Sequence, residues 1–246
     1  MQENVATVAA APPSGDLGFL VRWANIYFSP KKTFEAVKVR PFWVVPVILL
    51  LLFGAGFGMW TFKPQSNDVL EALTKNESIM AMPAERQQEL FAQIQERPKS
   101  LFSYGLGFAY QVAIIFILSG ILFFLGSVVM GGEASFPKIL GVFAYTAFIT
   151  VPEKIVWGFL ASAKGTMNVG LSLAAFFPAD YASSFVYRFI NAFDFFSVWF
   201  FVVLTIGLAT IYNFKQRKVV AVVLPVWILG KVIAAILAGF GVRVII

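Results

Sequence analysis

The chain contains no histidine and no cysteine in its 246 residues. That excludes disulfides, thiolate nucleophiles and the usual ligands of zinc, copper, haem and iron–sulfur clusters. It also removes the commonest general base near neutral pH. Charged residues are scarce, at 13%. The sequence has no HExxH, no GxSxG with a histidine partner, no Walker loop and no pair of carboxylates within one apolar run. Gly131-Gly132-Glu133 is too short to cradle a phosphate. The expectation is a chain that is not an enzyme and takes no cofactor or metal.

What the chain does have is apolar length. It is 59% hydrophobic, against about 45–50% for soluble domains. Mean hydropathy is +0.80. Five apolar runs stand out, at about 42–62, 106–129, 139–161, 195–213 and 219–241. About 20 residues at 1.5 Å each cross the ~30 Å core of a bilayer, so each run is long enough to span. The fold class expected is all-α: a polytopic membrane protein of five transmembrane helices.

Residues 1–16 are rich in Ala and Pro, with no basic start and no apolar core. They read as a disordered lead-in rather than a cleavable signal. Leu17, Leu20, Val21, Ala24 and Phe28 then recur near helical spacing, with Arg22 off that face. Ser29-Pro30 reads as the N-cap and first position of a second short helix. Phe34 and Val37 form its apolar edge, and Lys31, Lys32, Lys38 and Arg40 its charged surround. Both helices are expected at the membrane interface, held by anionic lipid or simply snorkelling their lysines.

The loop 63–105 is long and charged, and two helices fit it. One starts at Ser66-Asn67-Asp68; the other starts near Pro83-Ala84-Glu85 and stops at Pro98. They form a helical hairpin whose narrow apolar faces meet each other, the membrane or a partner. Segment 169–177 is apolar but too short to span, which predicts an interfacial or re-entrant piece. A helix from Asp180, with Tyr181, Phe185, Phe189 and Ile190 on one face, follows it. Ser135 and Pro137 open the third span.

With five spans the termini lie on opposite sides. Basic residues are densest in 1–41, 130–138 and 214–218, where Lys215, Arg217 and Lys218 form a short connector. The positive-inside rule then puts the N-terminus in the cytoplasm and the C-terminus outside. Membrane orientation explains that connector without any role for nucleic acid.

Glu153 and Lys231 lie near the middle of their apolar runs. A lone charge at mid-membrane costs about 2.5–3.5 kcal/mol on insertion scales. Their depths match, which predicts a Glu153–Lys231 ion pair, with Lys154 snorkelling or meeting Asp194. The pair either fixes helix register or belongs to a proton or substrate relay. Pro152 beside it predicts a kink that frees a carbonyl. Gly54 and Gly58 form a GxxxG, and Gly230, Ala234 and Ala238 a small-residue ladder. Both permit close helix packing, within the chain or between copies.

Pro30, Thr33, Phe34 and Pro41-Phe42-Trp43 with Pro46 resemble the segment entering the first span of Yip-domain proteins. Gly126, Gly141, Ala144-Tyr145 and Pro152 resemble the middle of that domain. Asn191-Ala192-Phe193-Asp194, Phe196, Trp199, Gly207 and the basic connector resemble its fourth span, and Trp227 fits the fifth. The resemblance covers about residues 20–240, with a 75–100 loop similar to the prokaryotic branch, and makes 17–246 one Yip-like membrane domain. It implies five helices, a cytoplasmic N-terminus and, for this branch, a bacterial inner membrane. Eukaryotic members imply contact with small GTPases, which this short Ala/Pro-rich N-terminus does not support. The family supplies no catalytic residues. The expected function is a non-enzymatic scaffold or accessory subunit whose partners are the lipid bilayer and other membrane proteins. The alternative is a component of a lipid, proton or solute transporter.

Overall fold

The computed structural model describes residues 18–96, 101–177 and 184–239. The lead-in 1–16, Leu17, Pro98, Pro178, Asp180, Tyr181 and the last residues of the fifth apolar run fall outside them. Among the described residues the regular structure is all helical, joined by short links, with one isolated bridge from Ser172 to Asp194.

Four helices are long and apolar enough to cross a membrane, and a bent pair makes a fifth candidate. That pair is α3 (Val44–Trp60) and α4 (Phe62–Thr74), bent by 57°. Before it come α1 (Phe19–Phe28) and α2 (Pro30–Val39). After it come the short α5 (Glu77–Met80) and α6 (Ala84–Glu96). The second span is α7 (Leu101–Phe124), which loosens into a π turn over Leu125–Val129. The third is α8 (Phe136–Thr146), a 3-10 turn at Ala147–Ile149, and α9 (Thr150–Lys164). A short α10 (Phe185–Asn191) precedes α11 (Phe195–Tyr212) and α12 (Gln216–Gly239).

The first helix of the charged 63–105 loop begins at Phe62, four residues before the expected Ser66. The apolar span bends at Thr61 instead of stopping: Thr61 Oγ1 donates to the Phe57 carbonyl and accepts from Gln65 Nε2. The second helix of that loop starts at Ala84, as expected, and α4 packs against α6 as a hairpin. After the 169–177 segment, which holds a 3-10 turn at Leu173–Phe176, α10 begins at Phe185 with Ser184 as its cap.

The N-terminal helices change the picture most. The expected apolar face of α1 is the exposed one: Leu20 is 71% and Phe28 87% exposed. Arg22 and Ile26, by contrast, are buried. In water an apolar stripe turns inward, but lipid is as apolar as leucine, so polar groups turn toward the bundle instead. Arg22 NH1 donates to the Arg40 carbonyl at 3.1 Å, and Thr33 Oγ1 to the Arg22 carbonyl at 2.8 Å. These bonds fold α1 and α2 into a hairpin. Phe34 and Val37 are fully buried, packing against Gly207 of α11 and Gly141 of α8. The hairpin is therefore part of the bundle core rather than a surface float.

Candidate functional site

The third span breaks where its sequence demands it. Pro152 has no N–H to give the carbonyl four residues back, which is that of Phe148. The chain tightens to a 3-10 turn over Ala147–Ile149, and Tyr27 OH of α1 donates to the Phe148 carbonyl at 2.7 Å. The freed acceptor is thus satisfied from another helix, as the membrane interior requires. Phe19 and Trp23 pack their rings on Phe148 beside it.

Glu153 and Lys154 follow in the first turn of α9. Asp194 is the N-cap of α11: its Oδ1 accepts from Ser197 N at 2.7 Å, and Ser197 Oγ accepts from Asp194 N at 3.1 Å. This reciprocal cap fixes the Asp194 carboxylate. Lys231 lies two turns from the end of α12, with its Nζ 5.6 Å from the centre of the Trp227 ring. All four charges are half-buried. Glu153 lies in the field of Asp194, Lys154 and Lys231, and Lys231 in the field of Asp194 and Glu153.

The expected direct ion pair is not formed. Among the described residues, ion pairs within 4.0 Å join Lys31 to Glu35 and Lys75 to Glu71, not Glu153 to Lys231. The physical reason is the helix order. α11 packs against both α9 and α12, and the Asp194 at its start acts on both charges. Lys154 is near Glu153, its sequence neighbour, rather than Asp194. What the structure brings together is a loose cluster of two acids and two bases from three helices.

A lid covers this end. Ser172 bridges to Asp194, and its Oγ donates to Asn191 Oδ1 at 2.7 Å. Trp157 Nε1 donates to the Val169 carbonyl at 2.9 Å. Asp68 of α4 accepts from Thr166 Oγ1 and from Met167 N, and Asn67 Nδ2 donates to the Gly165 carbonyl. On the far side Arg188 Nε donates to the Ala235 carbonyl at 3.1 Å, which anchors α10 to α12.

The opposite end carries the basic residues and is tied differently. Lys38 Nζ donates to Asn213 Oδ1. Lys218 Nζ donates to the Met130 carbonyl at 2.8 Å and lies 3.9 Å over the Phe214 ring. Tyr212 reaches the π turn, 3.1 Å from Ser127 Oγ. Lys38 and Lys218 therefore tie neighbouring segments together, although Lys218 is exposed like Lys31, Lys32, Arg40, Lys215 and Arg217.

The small-residue patterns are used unequally. At Gly54 an added Cβ would meet Gln111, whose Nε2 donates across it to the Leu50 carbonyl. At Gly58 and Gly230 nothing lies within 4 Å of that position. Ala234 is half-buried and Ala238 exposed, while the buried small residue of α12 is Ala235. Among the described residues the gap beside Gly230 is therefore left open, whereas that at Gly54 is filled.

The Yip1 domain model matches residues 24–237. The chain belongs to the Yip1-domain family. No curated protein and no solved structure gives a significant match. The match runs from within α1 through the kinked third span into α12. Sequence reasoning missed several residues that carry bonds between elements, among them Tyr27, Arg188 and Tyr212 within the match and Arg22 just before it. One signal was present for Tyr27, since a proline inside a span requires a donor for the carbonyl four residues before it.

Proposed function

We propose that this Yip1-domain protein is a non-enzymatic scaffold or accessory subunit that binds another membrane protein along α12. The observation that carries the reading is the open small-residue side of that helix. α12 is the least buried of the four long spans. Along one side it carries Gly230, where an added Cβ would meet no described atom within 4 Å, the half-buried Ala234 and the exposed Ala238. Small residues let a second helix come close, and in lipid close packing is a main source of helix association. The basic end then faces the cytoplasm of a bacterial inner membrane, as the positive-inside rule favours, with the lid outside.

The test is purification of the full chain in gentle detergent, followed by mass spectrometry. A stoichiometric partner is expected with the natural chain. It should be lost from the Gly230→Leu/Ala234→Leu variant with the thermal midpoint unchanged. A partner retained by that variant, or a clean monomer from native membranes, overturns the reading.

One observation favours a second reading. Two acids and two bases gather under the lid without direct pairing, which suits a transport path as well as a structural cluster. Reconstituted flux that vanishes in Glu153→Gln would select transport.

A further inference from the structure

A groove of about 430 Å³ lies beside the α1–α2 hairpin, lined by Ser29, Pro30, Lys31, Lys32, Glu35 and Ile206. Its depth is what makes it informative. α11 has 18 residues, about 27 Å of helix, so it crosses a ~30 Å core only if its whole length lies in the core. Ile206 is six residues from the basic end of α11, which places it about 9 Å inside the hydrocarbon. Two exposed lysines therefore open onto a space at the level of the acyl chains or just above them.

Charge there needs a counter-charge. Glu35 lies 3.9 Å from Lys31 and offsets part of it. Among the described residues Lys32 has no ion-pair or side-chain hydrogen-bond partner, so the groove keeps net positive charge. Lysines of this kind snorkel toward the headgroups, where the anion within reach is a lipid phosphate. The surroundings suit the rest of a lipid. Phe28 is 87% exposed beside the groove, and Leu20, Val21 and Trp23 continue the exposed apolar surface along α1. Ser29 adds a hydroxyl at the mouth.

We propose that the groove between α2 and α11 binds the headgroup of one acidic phospholipid from the leaflet at the basic end. Lys31 and Lys32 hold its phosphate, and α1 carries its acyl chains. This would make the hairpin a lipid-reading element of the bundle, independent of any partner on α12.

The experiment is native mass spectrometry of the full chain in detergent, titrated with phosphatidylglycerol, phosphatidylcholine or inorganic phosphate. One phosphatidylglycerol per chain should bind at least tenfold more tightly than phosphatidylcholine. Lys31→Gln/Lys32→Gln should abolish that preference, while Lys215→Gln/Arg217→Gln, with the same charge removed elsewhere, should keep it. Ile206→Trp fills the groove without touching a charge and should also weaken binding, which covers a double variant that fails to fold. Equal binding of both lipids overturns the proposal, as does a preference that survives both groove variants. Displacement of the lipid by inorganic phosphate at equal concentration overturns it too, because the site would then be one for a free anion.

Discussion

Glycines in two regions of this bundle do opposite things. In the half built from α2, α8, α11, the π turn and the link after it, Gly126, Gly132, Gly141 and Gly207 belong to no GxxxG-type pattern. A Cβ at any of them would come within 2.2–2.9 Å of a neighbouring side chain. On α3 and α12, Gly58 and Gly230 belong to recognisable small-residue patterns, yet nothing lies within 4 Å. The lesson is that a small-residue pattern marks a face where two backbones could approach, and at Gly230 of α12 no described atom takes that place. The intramolecular contacts are of another kind: a large side chain enters the gap a glycine leaves. Tyr212 fills the gap at Gly126, Val37 that at Gly141, and Val142 with Phe34 that at Gly207.

The sharpest way to break this comparison is to add one methyl group on each side of it. Tyr212 cannot swing away from Gly126, because its hydroxyl is held by Ser127 Oγ. Gly126→Ala should therefore cost about 3 kcal/mol, the upper part of the usual overpacking range. Gly230→Ala should change stability by less than about 0.5 kcal/mol, as surface substitutions do. Reversible unfolding in mixed micelles measures both. Similar losses for the two would erase the distinction.

The same contrast holds for the two basic residues placed among apolar ones. Arg22 is 3% exposed and hydrogen-bonds the Arg40 carbonyl at the end of α2, whereas Lys231 is half-buried and rests on Trp227. Arg22→Met should cost about 2 kcal/mol, since bonds from charged donors contribute roughly 1.5–3. Lys231→Met should cost less than half of that. A larger loss at Lys231 would show that the cluster under the lid, not the hairpin, holds the fold.

A smaller effect is expected at the kink. Tyr27→Phe removes one bond to the Phe148 carbonyl, about 1 kcal/mol. In a Pro152→Ala background residue 152 regains its N–H and can serve that carbonyl itself, so the same change should cost less. An unchanged cost in the double-mutant cycle would separate the tyrosine from the proline.

Apolar length alone made the spans legible: the runs expected at 139–161 and 195–213 appear as Phe136–Lys164 and Phe195–Tyr212. Local chemistry marked the helix starts at Ser29-Pro30 and Ser135, although neither serine makes a side-chain cap bond. Which face of α1 turns inward was not legible. Amphipathic periodicity gives a direction only when the solvent on the far side is known, and α1 lies between lipid and protein. The site was half legible for a similar reason. Depth along a helix follows from residue count, so Glu153 and Lys231 could be placed at one level of the bundle. Azimuth around the bundle depends on which helices are neighbours, and α11 stands between the two that were expected to meet.

The cluster itself gives the smallest and most discriminating effect. Without a contact inside 4.0 Å, Glu153 and Lys231 interact through a longer path that Asp194 shares. Swapping them by Glu153→Lys and Lys231→Glu puts a cation beside Lys154 and an anion near Asp194, so neither change repairs the other. Their coupling energy should stay below about 0.5 kcal/mol, the size found for sites that do not touch. Recovery of more than about 1 kcal/mol in the double variant would restore a direct pair, as contacting residues show. Asp194 supplies the internal standard. The field on Lys231 comes from Asp194 ahead of Glu153. The cycle of Asp194→Asn with Lys231→Met, which leaves a side chain able to cap α11, should therefore show the larger coupling of the two. If the order is reversed, α9 rather than α11 is the electrostatic neighbour of α12, and the lid must close over a pair instead of a cluster.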